Sequence, residues 1–361
     1  MKLFECDNCG QPLYFENTRC EQCGHALGFS TEKAALLSLE PDGDAWRALA
    51  VTERRFRLCA NAAYEACNWL VPEDNAETLC LACRHNRTIP DLSDSANLRR
   101  FRQLELAKHR LFYSFLRWGL PLANRTDDPQ RGLAFDILAE VEGGPPAMTG
   151  HADGVITISA VEAEGAERER RRTHMGETYR TLLGHFRHET GHYFWDALVS
   201  GGARLDEFRA LFGDERRDYG AALEAHYKDG PPADWQQHFI SAYATTHPWE
   251  DFAETWAHLL HIVDTLETAA AFGIAVHPAV AAAPASENDA RFDPYRALDI
   301  EALIRRWLPL TFAVNSLNRS MGQPDLYPFV LSDPAVKKLA FVRSLIRDAG
   351  EHRSKTTTAR P

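Results

Sequence analysis

All eight cysteines of this 361-residue chain lie within its first 83 positions. The N-terminal sequence MKLFEC has an acidic residue and a cysteine where a secretory signal would carry its apolar region. In a chain without an export signal, cysteines favour metal or redox chemistry over disulfides. We therefore predict a separate N-terminal zinc-binding module over residues 1–92, in a cytoplasmic protein.

The first four cysteines form two Cys-x2-Cys pairs, Cys6 with Cys9 and Cys20 with Cys23. Tetrahedral zinc needs four converging thiolates, and each pair supplies two of them from one tight turn. Gly10 follows the first pair directly and suits the positive-φ residue of such a turn, as Gly24 does after the second pair. This pattern predicts a zinc ribbon over residues 1–28, against the alternatives of free buried thiols or a redox pair.

The remaining cysteines are Cys59, Cys67, Cys80 and Cys83, of which only the last two have the Cys-x2-Cys spacing. A second four-thiolate zinc site over residues 59–83 would use all of them, so we interpret the nearby His25 and His85 as bystanders. Zinc held by four cysteines keeps no open position for water. Both sites are therefore expected to be structural and to stabilise a module with a small core.

The charge of the chain bears on its partners. Lys and Arg number 40 and Asp and Glu 51, which gives a net charge of −11. Residues 1–92 contain nine basic and fourteen acidic residues, which gives a net charge of −5. A protein partner for the ribbon is therefore favoured over nucleic acid, whose phosphates need basic surfaces. No apolar run reaches membrane-spanning length, so we expect no membrane partner.

Residues 188–192 read His-Glu-Thr-Gly-His, a His-Glu-x-x-His motif. On a helix His188 and His192 share one face and can bind one metal ion, with Glu189 beside the open position as a base. Gly191 in mid-helix costs about 1 kcal/mol, which close approach by a neighbouring helix would explain. The competing interpretation is an ordinary buried helix whose histidines belong to the core or surface.

A third ligand must come from another segment, and the best candidate is the pair Glu250 and Glu254. Pro248 suits the first turn of a helix on which the two carboxylates share a face. Two such carboxylates would repel unless one binds metal and the other accepts a hydrogen bond from a ligand imidazole. Ordinary acidic residues at a helix N-terminus are the alternative. Tyr243 lies seven residues before Glu250. It either donates a hydrogen bond to a developing oxyanion or is an ordinary core residue.

The remaining pattern predicts an α+β fold that is mostly helical. Short strands are expected at 135–141 and 154–159, and a basic helix with a solvated face from Ser93 to about Leu120. Helices are expected at 177–199, 204–213, 218–228, 235–246, 249–268, 299–320 and 333–349. We predict a zincin-like metallopeptidase domain with a small sheet over 93–350 and a disordered tail over 351–361, where apolar residues are almost absent.

Taken together, these motifs resemble the bacterial family of zinc-binding metallopeptidases with an N-terminal zinc ribbon. The helical part is similar to gluzincin metallopeptidases of the lethal-factor type. The resemblance spans roughly residues 1–265 and rests on these stretches: Cys6 to Cys23, Cys59 to Pro72, Cys80 to Leu92, Tyr179 to Trp195, and His247 to Asp264.

The resemblance implies one catalytic zinc on His188, His192 and Glu250, in addition to the two structural zinc ions. It makes Glu189 the general base, Tyr243 the residue that stabilises the oxyanion, and Glu254 the residue that orients a ligand imidazole. The expected substrate is a peptide or protein, and the strand Gly154 to Ser159 is our candidate for pairing with it. The alternative function is a non-catalytic scaffold that is stabilised by zinc and recruits a partner through its ribbon.

Overall fold

The structure is a computed structural model that describes residues 2–140, 147, 149–174, 181–279, 292–297 and 299–358. The chain divides into two compact units. The first contains Met1–Arg117 and Leu122–Arg171, and the second contains Trp118–Pro121 and Arg172–Pro361. The predicted α+β class is confirmed, since small sheets occupy the first unit and helices dominate the second.

The ribbon part of the first unit is built from short antiparallel strands. Among the described residues, its first two strands, β1 and β2, pair with each other. The next five form one sheet in the order β3-β4-β5-β6-β7. The strands are β1 Phe4–Glu5, β2 Pro12–Leu13, β3 Ala26–Ser30, β4 Ala35–Asp42, β5 Ala45–Ala48, β6 Val51–Leu58 and β7 Leu70–Pro72. Their buried apolar side chains form a small core that includes Leu37, Phe56 and Leu70.

Helix α1, Ser95–Trp118, belongs to the same unit as the ribbon. Asp94 caps it, because its carboxylate accepts hydrogen bonds from the backbone N–H groups of residues 96 and 97, both at 2.8 Å. The ring of Tyr113 lies 5.5 Å from that of Phe15, which joins the helix to the ribbon. The prediction of a solvated basic face was wrong at Lys108, which is fully buried and paired with Glu105.

A second sheet of the first unit has the order β10-β11-β9-β8 among the described residues. Its strands are β8 Asn86–Thr88, β9 Ala134–Leu138, β10 Gly150–Ala152 and β11 Val155–Ser159. The strands predicted at 135–141 and 154–159 correspond to β9 and β11, with residue 141 outside the described part. The expectation that the strand 154–159 pairs with substrate was wrong, because β11 already pairs with β10 on one side and with β9 on the other.

The second unit is a helical body. Helix α2, Gly165–His174, leads into it and is followed by α3 Leu182–Leu198, α4 Leu205–Phe212, α5 Tyr219–Asp229, α6 Pro248–Ala271, α7 Ile300–Ser320 and α8 Asp333–Thr358. α6 packs against α3, α7 and α8. One side of α6 buries apolar residues such as Phe252, Trp256 and Leu259. The helix is therefore the central element of this unit.

The predicted helices correspond to α3 through α8 with one exception. The helix expected over 235–246 is wrong: two 3-10 turns stand there, Trp235–Gln237 and Tyr243–Thr245. The Ser241 hydroxyl accepts a hydrogen bond from the backbone N–H of Ala244 at 3.1 Å, a local bond that competes with helix formation. Residues 177–180 of the predicted first helix, including Tyr179, lie outside the described residues.

The C-terminal helix α8 continues to Thr358, within the segment that was expected to be disordered. Residues 351–358 contain neither glycine nor proline, so no residue there ends the helix. Residues 359–361 lie outside the described part of the chain.

Candidate metal centres

Helix α3 carries the His-Glu-x-x-His motif. It begins after Thr181, whose hydroxyl accepts a hydrogen bond from the backbone N–H of Gly184 at 3.0 Å. In mid-helix a Cβ atom on Gly191 would lie 2.7 Å from the Cα atom of Ala253 on α6. The expectation that Gly191 permits close approach by a neighbouring helix is therefore confirmed. The two helices cross at the motif.

Helix α6 supplies the acidic residues. Pro248 stands in its first turn as predicted, and the His247 side chain caps the helix by accepting from the backbone N–H of Trp249 at 3.2 Å. Glu250 and Glu254 follow one turn apart, on either side of Ala253. Because Ala253 contacts Gly191, both carboxylates are directed to the imidazoles of α3.

Three side chains converge at this crossing. The Oε2 atom of Glu250 lies 3.0 Å from Nε2 of His188 and 3.5 Å from Nε2 of His192. The two Nε2 atoms are 3.2 Å apart. Ligand atoms on one tetrahedral zinc at about 2.0–2.1 Å would be separated by about 3.4 Å. The spacing of this His2Glu set therefore fits a single zinc ion.

An unsatisfied polar atom of the His2Glu set also indicates a cation site. Oε2 of Glu250 is buried and receives no hydrogen bond from the described residues. Its other oxygen, Oε1, accepts a hydrogen bond from the Tyr219 hydroxyl at 2.8 Å. A buried carboxylate oxygen facing two imidazole nitrogens is expected to bind a metal ion or a proton.

Glu254 lies behind His188. Its Oε1 atom accepts a hydrogen bond from Nδ1 of His188 at 2.7 Å, and its Oε2 atom accepts one from the Ser241 hydroxyl at 2.6 Å. With its proton on Nδ1, His188 presents the Nε2 lone pair to the position shared with His192 and Glu250. A carboxylate that fixes the tautomer in this way is typical of histidines that bind metal.

The electrostatics of the centre follow from burial and close opposite charges. Burial opposes the charged form of His188, but the close carboxylates of Glu250 and Glu254 raise its pKa well above the ordinary value. Burial would raise the pKa of Glu250, yet the nearby His192 and His188 lower it well below its usual range. The Glu250 carboxylate is therefore ionised, as a metal ligand must be.

Glu189 is half-buried, one residue along the helix from His188. Burial raises its pKa, against the opposing charges of His188 and His192, and the charge of Glu250 adds to the rise. A carboxyl group with a raised pKa is a better proton acceptor at neutral pH than a freely solvated one.

Tyr243 also lies at the centre, with its ring 5.8 Å from that of His188. Burial and the charge of Glu250 raise the pKa of its phenol, so the hydroxyl keeps its proton and can donate it in a hydrogen bond. Sequence reasoning missed Tyr219, which stands at the start of α5 and contacts Glu250. No local pattern distinguishes Tyr219, since only the fold brings α5 to this position.

The first cysteine cluster has the predicted members. The Sγ atoms of Cys6 and Cys23 lie 3.7 Å apart and those of Cys9 and Cys20 3.6 Å apart. Thiolates on tetrahedral zinc at about 2.3 Å would be about 3.8 Å apart, so this spacing fits zinc. The expected glycines follow the pairs with positive φ, 75° at residue 10 and 76° at residue 24. A hydrogen bond from the backbone of His25 lowers the pKa of Cys23 to about 5, which favours the thiolate.

The second cluster brings together Cys59, Cys67, Cys80 and Cys83, with all four Sγ atoms within 4.8 Å of one another. Sequence reasoning missed a fifth member of this cluster. His109 of α1 directs its Nε2 atom at the thiols, at 3.2 Å from Sγ of Cys67. His109 stands 26 residues beyond the last cysteine, farther than the short spacings between the ligands of a zinc ribbon.

Comparison with known proteins agrees with this geometry. Residues 97–345 match the family described as "Putative zinc-binding metallo-peptidase", and residues 3–94 match a zinc-ribbon domain family. The chain belongs to this metallopeptidase family. The resemblance recognised in the sequence is therefore confirmed for both parts of the chain.

Close relatives of this metallopeptidase-family chain are found in mycobacteria. Uncharacterized proteins of Mycobacterium bovis and of two Mycobacterium tuberculosis strains are 43% identical to it over 347 residues. The alignment covers 96% of this chain and 95% of each relative. No solved structure is significantly similar to it. Among the residues described, no helix combines the length and apolar character needed to cross a membrane.

Proposed function

We propose that this chain is a zinc-dependent peptidase of the gluzincin type, with its catalytic centre at the crossing of α3 and α6. The observation that carries the proposal is the convergence of His188 Nε2, His192 Nε2 and Glu250 Oε2 at distances of 3.0 to 3.5 Å. Two imidazoles and one carboxylate leave a tetrahedral ion one position for water or substrate. Sites of this composition are catalytic rather than structural.

When bound, zinc supplies a Lewis acid that polarises the scissile carbonyl and makes water more acidic. Glu189 accepts a proton from the attacking water, whose oxygen forms a bond to the carbonyl carbon. The same carboxyl group then delivers the proton to the amine nitrogen as the C–N bond breaks. Its raised pKa supports both transfers, because the group must be able to hold the proton between them.

Tyr243 is proposed to donate a hydrogen bond to the oxyanion that develops on the carbonyl oxygen. Its position 5.8 Å from the His188 ring, measured between centroids, and its protonated phenol support this role. Glu254 and Ser241 hold His188 in the tautomer that binds metal. Each group of the mechanism thus has a separate task that a single substitution can remove.

We propose that the two cysteine clusters hold structural zinc ions and that the substrate is a peptide or protein. Two four-thiolate sets leave no ligand position for a substrate, which separates them from the His2Glu centre. The acidic ribbon is proposed to bind a protein partner. Cysteines grouped as metal ligands support a reducing compartment such as the cytoplasm.

The competing function is a scaffold in which the third metal, if bound, is structural. A structural ion has no need of an open ligand position, of Glu189 beside it or of a protonated Tyr243. The presence of all three features at one centre favours catalysis.

The experiment that tests the proposal combines metal content with cleavage of a peptide library. We expect about three zinc ions per wild-type chain and about two for Glu250→Ala, since the cysteine sets are untouched. Glu189→Gln should keep about three ions and lose cleavage by a factor on the order of 100 or more. Equal cleavage by wild type and Glu189→Gln would refute the mechanism, and zinc without cleavage in the wild type would support the scaffold.

A further inference from the structure

Three thiols of the second cysteine cluster, those of Cys67, Cys80 and Cys83, surround the imidazole of His109. The Nε2 atom of His109 lies 3.2 Å from Sγ of Cys67, 3.9 Å from Sγ of Cys80 and 3.6 Å from Sγ of Cys83. All four side chains are buried or nearly so. The first cluster differs, because the described contacts of His25 there reach only one thiol, that of Cys23.

The distances match those between ligands of one metal ion. A nitrogen and a sulfur on one tetrahedral zinc, at about 2.0–2.1 Å and 2.3 Å from the ion, would lie about 3.6 Å apart. The three measured distances lie on both sides of this value. Cys59 interacts with the same three thiols, and the described contacts of His109 do not include Cys59. The cluster therefore offers five donors, while structural zinc takes four.

The orientation of the imidazole fits a metal ligand. Nδ1 of His109 donates a hydrogen bond to the main-chain carbonyl of Glu105 at 2.6 Å, one turn earlier on α1. A carbonyl oxygen can only accept, so Nδ1 carries a proton and Nε2 can present its lone pair to the thiols. The Trp69 ring, 5.0 Å from that of His109, packs beside the imidazole.

Glu105 is a weaker candidate for the same position. Its Oε1 atom accepts hydrogen bonds from Lys108 and from Asn86, at 2.5 and 2.9 Å. Its Oε2 atom accepts from the Cys83 thiol at 3.3 Å. The ammonium group of Lys108 neutralises this carboxylate and would repel a metal ion placed on it.

We propose that His109 is an alternative fourth ligand of the second zinc site. Cys67, Cys80 and Cys83 hold the ion in common, and the shell is completed either by the thiolate of Cys59 or by the imidazole of His109. The inference rests on the proposed zinc at this cluster and goes beyond it, because His109 lies outside the segment that matches the zinc-ribbon family. When His109 completes the shell, the metal joins helix α1 to the ribbon directly.

The test uses the full-length chain and measures zinc per chain after exchange against a chelator. Cys59→Ser and His109→Ala should each keep about three ions, and the double variant should keep about two. The matched control, Cys9→Ser in the first cluster, should keep about two, because among the described residues no imidazole contacts three thiols of that cluster. We expect the double variant to release its second-cluster zinc on the order of 100-fold faster than either single variant.

Cobalt supplies a readout that does not depend on activity. With cobalt in place of zinc, the thiolate-to-metal absorption of the second site should weaken in Cys59→Ser and stay at full strength in His109→Ala. Far-UV circular dichroism and the first-cluster zinc report whether each variant folds.

Several outcomes would overturn the inference. Loss of the ion from Cys59→Ser alone would exclude His109 as a ligand, and retention in the double variant would assign the position to Glu105 or another donor. A wild-type chain with no metal at this cluster, but with one at the His2Glu centre, would refute the second zinc site itself while leaving the proposed peptidase function intact.

Discussion

Gly191 and Ala253 are in contact where helices α3 and α6 cross, so closely that a methyl group on Gly191 would meet the Ala253 Cα atom at 2.7 Å. Ala253 stands between Glu250 and Glu254 on α6, and Gly191 stands between Glu189 and His192 on α3. The contact therefore fixes the separation of the carboxylates from the imidazoles. It also explains why a helix tolerates a glycine at a position where alanine would favour helix formation.

The substitution Gly191→Ala should separate the two helices. The added methyl group gains up to about 1 kcal/mol of helix propensity but costs about 1–3 kcal/mol through overpacking against main-chain atoms. We expect lower zinc affinity at the His2Glu centre together with unchanged or reduced stability, measured by chelator competition and urea unfolding. Gly220→Ala on α5 is the control, because its Cβ atom would make only ordinary contact at 3.5 Å. Wild-type zinc affinity in Gly191→Ala would contradict this account.

The substitution Glu254→Gln removes the charge that orients His188 and keeps the shape of the side chain. Loss of a carboxylate behind a ligand histidine typically lowers metal affinity about 10–100-fold. We expect a loss of this size at the His2Glu centre and none at the cysteine clusters, measured by zinc competition with a chromophoric chelator. Glu224→Gln, on the exposed face of α5, is the matched control and should leave all sites unchanged.

Tyr219 and Tyr243 should affect different quantities. Tyr219→Phe removes the hydrogen bond to Glu250 Oε1 at 2.8 Å and should weaken zinc binding, because the ligand carboxylate loses its support. Tyr243→Phe should leave zinc content unchanged and lower kcat by about 100-fold or more, as loss of an oxyanion donor does. Metal titration and steady-state kinetics on the same preparations separate the two effects. Reversed results would exchange the assigned roles.

His258 should contribute to the acid sensitivity of the fold. Burial lowers its pKa to about 4, against the opposing charge of Glu254, while the unfolded chain has a value near 6.5. Between these pH values only the unfolded chain binds the proton, so the free energy of unfolding decreases as the pH falls through this window. Its Nδ1 atom lies within hydrogen-bond distance of the Tyr327 hydroxyl, at 2.7 Å, and its burial favours the neutral ring in the folded state.

The substitution His258→Gln keeps a hydrogen-bonding side chain beside Tyr327 and removes the titration. The variant should lose less stability than wild type between pH 7 and pH 5, by about 2 kcal/mol. Urea unfolding at both pH values measures this difference. His238→Gln, at an exposed position, should follow the wild-type curve. Parallel curves for His258→Gln and wild type would show that His258 does not cause the effect.

The residues of the His2Glu set could be predicted because the spacing between them along each helix reveals which side chains share a face. Helical periodicity puts His188 and His192 on one face, and it does the same for Glu250 and Glu254. Ser241 and Tyr219 could not be found in this way, since their contacts with the two glutamates arise from how separate segments pack. A serine or tyrosine without a surrounding pattern carries no signal of such a contact.

The same limit applies to the first unit. The cysteine spacing predicted both clusters, but the pattern around Lys108 and His109 indicates only a solvated helix, because the sequence does not show that their faces pack on the ribbon. Likewise the composition of β11 predicts a strand without showing how many neighbours it pairs with. Local patterns therefore identified most elements and the residues that converge at the candidate metal centres, while pairing and burial depended on contacts distant in the chain.

Two ring contacts limit where the protein can be truncated. The ring of Tyr113 lies 5.5 Å from that of Phe15, and the ring of His109 lies 5.0 Å from that of Trp69. A fragment that ends near residue 94 would retain every cysteine but lack α1. The rings of Phe15 and Trp69 would then be exposed to solvent, and the fragment would tend to aggregate. Laboratories that want the ribbon as a stand-alone reagent should keep α1 attached to it.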